Sequence, residues 1–173
     1  MRCLTHIECS DWLKKHRMTE SPYGKKHPAY FMQFEPPRRF GGMAQLIRTL
    51  ISNSNCKAES LVVCDGFGWD QPEELAIINS MRLGFREKRL AMDAPGHLFE
   101  ENEGDLKIGL CSLALMFGSS AYLYEPAEKV SLLLWEGDLI DVWASDDLTK
   151  SHVREVVSNF KLKITWPKSD TAI

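Results

Sequence analysis

The stretch Ala121–Ala144, AYLYEPAEKVSLLLWEGDLIDVWA, decides the fold of this chain because it predicts three consecutive strands. The strand candidates are Ala121–Glu125, Val130–Trp135 and Leu139–Ala144. The turns between them, 126–129 and 136–138, are so short that successive strands must be antiparallel neighbours. The segment therefore predicts an antiparallel meander near the C-terminus.

Helix and strand candidates alternate before this meander. The clearest helix start combines Asp70 as cap, Pro72 in the first turn and Glu73 as the second half of a capping box. The predicted helices are Cys9–Met18, Met43–Ser52, Asp70–Gly84, Asp105–Phe117 and one from Asp146 or Asp147 to Phe160. The predicted strands are Ala29–Glu35, Leu61–Cys64, Arg86–Met92 and an edge strand Lys161–Trp166, with a turn at Ala94–His97. We expect an α/β (α+β) fold with a mixed β-sheet, its C-terminal meander packed by helices.

The composition predicts one globular domain over residues 1–173. The chain is 44% hydrophobic and 26% charged, and it is long enough to bury about 70% of its unfolded surface. It carries no apolar run of signal-peptide or membrane-spanning length. Its five cysteines are irregularly spaced without a C-x-x-C pair, which argues against disulfides and zinc. We therefore expect a soluble cytoplasmic protein with no metal, no cofactor and no membrane partner.

Charge is distributed unevenly along the chain. Residues 93–147 carry twelve acidic side chains against two lysines, whereas the first fifty residues carry nine Lys or Arg against four acids. Such an acidic field would repel nucleic acid and attract a basic protein, although most charge runs are simply solvated. The predicted partner-binding acids are Glu100, Glu101, Glu103, Asp105, Glu136, Asp138 and Asp141.

The loop Asp65–Asp70 is the best candidate for a small-ligand site. It leads from a buried strand through Gly66-Phe67-Gly68 into a capped helix, where free backbone amides can bind an anion. A dinucleotide motif needs a third glycine, and Gln71 occupies that position, so a tight turn without a ligand is the competing interpretation. Phe67 and Trp69 are either buried under the helix or displayed as apolar anchors for a partner.

His97 is a candidate acid/base residue because it precedes a cluster of glutamates. No nucleophile is identifiable nearby, and Cys111 on an apolar helix is a poor one. The competing interpretation is a capped or solvated histidine in a turn. The sequence predicts no catalytic residue.

The region from Ala94 to Asp147 resembles small bacterial immunity proteins of polymorphic-toxin and contact-dependent inhibition systems. The matching features are Ala-Pro-Gly-His-Leu-Phe at 94–99, an acidic helix start, the following helix, and the hairpin that ends Leu-Ile-Asp-Val-Trp-Ala at 139–144. This resemblance implies a cytoplasmic, non-enzymatic protein that binds and blocks a cognate toxin, often a basic nuclease. The alternatives are a small α/β enzyme or nucleotide/anion-binding domain using the Asp65–Asp70 loop, and an interaction domain of a larger assembly.

Overall fold

The computed structural model describes residues 1–21, 23, 30–51, 59–65 and 72–166, with only the backbone at 65 and 72–75. The helices within these ranges are α1 (His6–Lys15), α2 (Phe40–Ile51), α3 (Pro72–Gly84), α4 (Gly104–Met116) and α5 (Asp147–Asn159). The strands are β1 (Arg2–Leu4), β2 (Tyr30–Phe34), β3 (Ser60–Asp65), β4 (Gly96–Phe99), β5 (Ser120–Glu125), β6 (Val130–Trp135), β7 (Leu139–Ala144) and β8 (Ile164–Trp166).

The strands form one sheet in the order β1-β4-β3-β5-β6-β7-β2-β8. The α+β class and the antiparallel meander β5-β6-β7 are confirmed. The prediction of a mixed sheet was wrong, because every strand pair in the described residues is antiparallel. The alternation of helices with strands suggested parallel strands joined by crossover helices. Instead, the chain passes from β3 through α3 to β4, which lies antiparallel beside β3. The helix α4 likewise connects β4 and β5 without making them neighbours.

Helices cover both faces of the sheet. The larger core lies between the sheet and α2, α4 and α5, with Leu123, Leu132 and Val142 fully buried on that face. The opposite face at β3, β4 and β5 packs against α1 through a second cluster that includes Trp12 and Leu61. The alternation of side chains along each strand sends neighbouring residues into these two clusters. The predicted strand Leu61–Cys64 is confirmed as a buried strand, with Leu61 in one cluster and Val62 and Cys64 in the other.

The N-terminal segment differs from the prediction. The strand β1 was not predicted, and α1 begins at His6 rather than Cys9. The cause is a capping box: the Thr5 hydroxyl accepts a bond from the Glu8 N–H, and the Glu8 carboxylate accepts one from the Thr5 N–H. This start orients α1 so that Cys9, Trp12 and Leu13 are buried.

The predicted strand Arg86–Met92 was wrong, since this segment is a series of turns. Its backbone carbonyls bond to the buried side chain of Arg82 on α3, which donates to Arg89 O, Leu90 O and Ala94 O at 3.0, 3.2 and 2.8 Å. In a strand the carbonyls of successive residues point to opposite sides, so those of Arg89 and Leu90 could not both face one guanidinium. The strand instead begins at Gly96, inside the predicted turn.

Candidate functional site

Helix α4 separates the predicted partner-binding acids into two groups. Its 13 residues span about 20 Å at 1.5 Å per residue. Glu100, Glu101, Glu103 and Asp105 surround its N-terminus, and we call them the N-terminal acidic patch. Glu136 and Asp138 lie in the β6–β7 turn, in one cleft with the C-terminal residues of α4. The structure therefore forms two acidic regions rather than one.

The N-terminal acidic patch mainly supports the start of α4. The Glu103 carboxylate accepts a hydrogen bond from the Glu100 N–H at 2.9 Å and pairs with the N-terminal ammonium of Met1. Asp105 forms an exposed ion pair with Arg48 on α2 at 2.8 Å. Negative charge at a helix N-terminus is also favoured by the helix dipole. Local structure therefore explains Glu103 and Asp105, whereas Glu100 and Glu101 are exposed and form no ion pair with the described residues.

A cleft of about 700 Å³ lies at the other end of α4, and we call it the C-terminal cleft. Its apolar lining comes from α2, α4 and β7: Met43, Leu115, Met116 and Leu139. Its charged lining comes from the end of β2 and from the β6–β7 turn: Glu35, Arg38, Glu136 and Asp138. This volume is in the range of ligand-binding pockets.

Two glycines in left-handed conformations shape the cleft. Gly118, with φ of 66°, ends α4, and the following Ser119 N–H donates to Ala114 O at 2.9 Å. Gly137, with φ of 79°, lies against the end of the helix, and a Cβ there would come within 2.4 Å of the Leu115 carbonyl oxygen. The turn can approach α4 this closely only because position 137 lacks a side chain.

The charges around the cleft leave an excess of negative potential. Glu35 forms an ion pair with Lys163 at 2.5 Å. Glu136 and Asp138 are exposed and form no ion pair with any described residue. The C-terminal end of a helix adds partial negative charge from its free carbonyls. Apart from Arg38, every charge at the cleft attracts a cation.

The assignment of Asp141 to an exposed acidic surface was wrong. Its side chain is 0% exposed, and neither carboxylate oxygen has a hydrogen-bond partner among the described residues. Burial raises the pKa of this carboxyl to about 6. The alternation along β7 puts Asp141 on the sheet face opposite Ile140 and Val142, which pack in the core with α2 and α4. The sequence could not reveal that this face is covered.

An aromatic cluster on the same sheet face as Asp141 was not predicted as a site. Trp143 contacts Tyr23 edge-on at 4.9 Å and Phe31 at 5.3 Å between ring centroids. Trp135 precedes Glu136, lies 6.5 Å from the Tyr23 ring and is 41% exposed. Tryptophan is enriched among the hot spots of protein interfaces, so the exposed part of the Trp135 ring is a candidate contact surface.

His97 is a buried residue of β4, so the interpretation as a turn histidine was wrong. Its Nε2 lies 3.2 Å from Arg82 Nη1, and its Nδ1 lies 4.0 Å from Cys64 Sγ. Burial and the Arg82 charge lower the pKa of His97 to about 4, while burial raises the pKa of Cys64 to about 12. A neutral imidazole beside a protonated, enclosed thiol does not activate a nucleophile.

The structure also brings together Ser60, Lys107 and Glu125, which the sequence analysis did not connect. Lys107 Nζ lies 2.5 Å from the Glu125 carboxylate and 2.9 Å from Ser60 Oγ, and the Ser60 hydroxyl donates to Glu125 at 2.7 Å. Serine and lysine can form a nucleophile–base pair, but here the carboxylate engages both groups. This network ties α4 to β3 and β5, and only the antiparallel pairing of those strands places its members together.

The loop residues Gly66–Asp70, with the predicted anchors Phe67 and Trp69, lie outside the described residues. The two roles proposed for this loop, ligand binding and apolar anchoring, stay predictions. The backbone confirms the strand before it and the helix after it.

Comparison of the chain with family models, with curated protein sequences and with solved structures finds no match. Among the described residues, no helix has the length and apolar character needed to cross a membrane. In the same part of the chain, no group of three or more His, Cys, Asp or Glu side chains is arranged to hold a metal ion.

Proposed function

We propose that the protein is a non-enzymatic binding protein of the immunity type, which engages and neutralises a basic partner such as a toxin domain. The observation that carries this proposal is the C-terminal cleft. Glu136 and Asp138, which form no ion pair with any described residue, line an opening of about 700 Å³ whose lining also includes Leu115 and Leu139. A surface of this kind offers charge complementarity and an apolar contact together.

The two acidic regions support different stages of association. The N-terminal acidic patch contributes to the long-range field that draws a basic protein towards this side of the molecule. Its Glu103 and Asp105 are already engaged locally, so these two charges add little once contact is made. The cleft carboxylates form no ion pair with any described residue, and a bound cation would satisfy them directly. Trp135 provides an adjacent apolar anchor, since its ring is 41% exposed.

The buried reactive groups favour binding over catalysis. The Cys64 thiol is enclosed and its pKa is about 12, and the Ser60 hydroxyl is 2% exposed and bonded to Glu125. A substrate would have to displace packed core residues to reach the Ser60 hydroxyl or the Cys64 thiol. The C-terminal cleft, by contrast, is open to solvent and presents the exposed carboxylates of Glu136 and Asp138, with Arg38 beside them.

The test uses toxin domains encoded beside the gene, purified as inactive variants. We expect one basic domain to bind faster at 50 mM than at 500 mM salt, and the protein to protect cells that express the active form. Glu136→Lys with Asp138→Lys should weaken binding by about 100-fold, or about 2.7 kcal/mol. The matched control, Glu100→Lys with Glu101→Lys, should change the on-rate by only a few fold.

Two results would contradict the proposal. The first is that no basic domain binds at low salt and no cell is protected. The second is that the protein turns over a substrate while it binds no protein. Circular dichroism of all variants checks that the charge reversals leave the fold intact.

A further inference from the structure

We infer that residues 82–92, together with the start of α1, form a surface that docks onto an anionic phospholipid membrane without crossing it. We call it the basic-apolar surface. Its apolar members are the exposed side chains of Ile7, Leu83, Phe85, Leu90 and Met92, and its cations are Arg86, Lys88 and Arg89. The inference goes beyond the proposed function, because it uses no residue of the C-terminal cleft and requires no toxin.

Large apolar side chains are exposed in close succession from the end of α3 onwards. Leu83 and Phe85 are both exposed, and Leu90 and Met92 are 61% and 69% exposed. Ala91, between the last two, is buried in the core, so the exposure of its neighbours belongs to the packed loop. Single exposed apolar residues are ordinary on a protein surface, but a group of them marks a contact with a protein or a membrane.

The loop that carries these side chains is compact because one guanidinium holds it. Arg82 is buried, and its side chain donates to the carbonyls of Arg89, Leu90 and Ala94. The Phe85 N–H donates in turn to Arg82 O at 3.0 Å. The backbone on both sides of the loop is therefore held next to Arg82, which brings the two pairs of exposed apolar side chains close together.

The start of α1 extends the surface. Arg89 Nη2 donates to Cys3 O at 2.9 Å, and Arg89 Nη1 lies 3.8 Å from the Glu8 carboxylate. Ile7, the residue before Glu8, is 75% exposed. A fifth exposed apolar side chain thus lies beside the loop, although it comes from a distant part of the sequence.

The loop has a charge opposite to that of the whole chain. Residues 82–92 carry four Arg or Lys against one acid, while the full sequence has a net charge of −3. The one acid, Glu87, is bound to Arg89 at 2.6 Å. Arg86 and Lys88 are exposed and form no ion pair with any described residue, so their charge is available to an anionic partner.

This combination favours a lipid surface over other anionic partners. Membrane docking adds insertion of apolar side chains among the headgroups to the attraction of Arg and Lys by anionic lipids. Nucleic acid would use the cations without using the apolar side chains. Lysine is depleted at the centre of protein interfaces, whereas here Arg86 and Lys88 lie between Phe85 and Leu90 in the sequence. The expectation of no membrane partner was based on the lack of a long apolar run, which surface docking does not need.

The experiment is co-sedimentation of the full chain with vesicles of phosphatidylcholine, either alone or with about 30% phosphatidylserine. At about 50 mM salt we expect the anionic vesicles to bind the protein at least about tenfold more tightly than the neutral ones. At about 500 mM salt this preference should largely disappear. Equal binding to both kinds of vesicle at low salt, or no binding to either, would overturn the inference.

A pair of charge variants locates the contact. Arg86→Gln with Lys88→Gln should weaken binding to the anionic vesicles by roughly 25-fold, since each cation near such a surface contributes about fivefold. The control Arg38→Gln with Arg39→Gln removes the same charge from exposed residues elsewhere and should change the affinity by less than about threefold. Equal losses in the two pairs would show that net charge, and not this surface, causes the binding, and the inference would be wrong.

A pair of apolar variants separates docking into the headgroups from attraction alone. Leu90→Ser with Met92→Ser should weaken binding by at least about tenfold. The control Leu148→Ser with Ile164→Ser, which changes side chains exposed elsewhere, should stay within about twofold of wild type. Wild-type affinity in the first pair would contradict the inference. So would binding of the acidic peptide acetyl-Glu-Leu-Leu-Glu-Glu-Leu-Leu-Glu-amide to this surface while vesicles do not bind, because the partner would then be a protein. Circular dichroism of every variant checks the fold.

Discussion

Both ends of helix α4 are flanked by carboxylates, but the two sets differ in their ion pairing and in the sign of the helix dipole beside them. At the N-terminus, Glu103 and Asp105 have cationic partners and lie where the helix dipole favours anions. At the C-terminus, Glu136 and Asp138 form no ion pair with any described residue and line a cleft with the last residues of α4, where the helix dipole disfavours anions. Glu103 and Asp105 stabilise the fold through their ion pairs and the helix dipole. Glu136 and Asp138 have no such stabilising interaction among the described residues, and charges that do not stabilise the fold are the better indication of a binding site.

The largest effect should come from Gly137, which fixes the turn against the end of α4. In Gly137→Ala the new Cβ would meet the Leu115 carbonyl oxygen at 2.4 Å, and the residue would have to keep φ at 79°. We expect the free energy of unfolding to fall by about 4 kcal/mol, from the left-handed conformation and the overlap together. Urea denaturation measures this change.

Gly104 at the other end of the helix is the matched control. It has helical backbone angles, φ of −56° and ψ of −42°, and a Cβ there would contact nothing within 4 Å. Gly104→Ala should therefore leave stability unchanged or raise it by up to about 1 kcal/mol. Equal losses at positions 104 and 137 would show that the close approach of the turn to α4 is not the cause.

The next effect concerns Asp141, whose carboxyl group is fully buried. Its folded-state pKa is about 6, against 3.8 when exposed, so the folded protein binds the proton more tightly than the unfolded chain. Its stabilising effect is complete below pH 3.8 and is lost as the pH rises through 6. Asp141→Asn should thus raise the free energy of unfolding at pH 7 by on the order of 3 kcal/mol, and by much less at pH 4.

The decisive measurement is the difference in the free energy of unfolding between wild type and Asp141→Asn as a function of pH. His97 titrates in the same range with the opposite sign: its pKa of about 4 lies below the ordinary 6.5, so its contribution is present above 6.5 and is lost as the pH falls through 4. This contribution is shared by wild type and Asp141→Asn and cancels in the difference. A difference that does not change between pH 4 and 7 would mean that Asp141 is paired or exposed in solution.

The short turns in the sequence were sufficient to predict the antiparallel meander, but not which other strands lie beside it in the sheet. The turns after Glu125 and Trp135 are short, so pairing of β5, β6 and β7 follows from the chain itself. Strand β4 has no such signal, because its position depends on contacts of Arg82 with carbonyls at residues 89, 90 and 94. The sequence predicted an edge strand near Trp166, which is confirmed for β8, but not that β2 separates it from β7.

The candidate site was predicted in part, since Glu136 and Asp138 were selected for their charge. The cleft itself forms where the end of β2, the end of α4 and the β6–β7 turn meet, which requires the pairing of β2 with β7. Asp141 was misassigned because alternation shows which face a residue is on, and not whether that face is covered. Charge along the sequence also grouped residues that α4 holds about 20 Å apart.

The smallest effects test the comparison between the helix ends most directly, because they remove single charges. Glu103→Gln should lower the free energy of unfolding by about 1 kcal/mol, since it loses the pairing with the Met1 ammonium and a favourable dipole interaction. Asp138→Asn should have the opposite sign, a gain of about 0.3 to 1 kcal/mol, because it removes an unpaired anion near a helix C-terminus. Both changes should shrink in 1 M salt. If Asp138→Asn destabilises the protein as Glu103→Gln does, the cleft carboxylate has a structural partner in solution, and its availability for a basic ligand would be disproved.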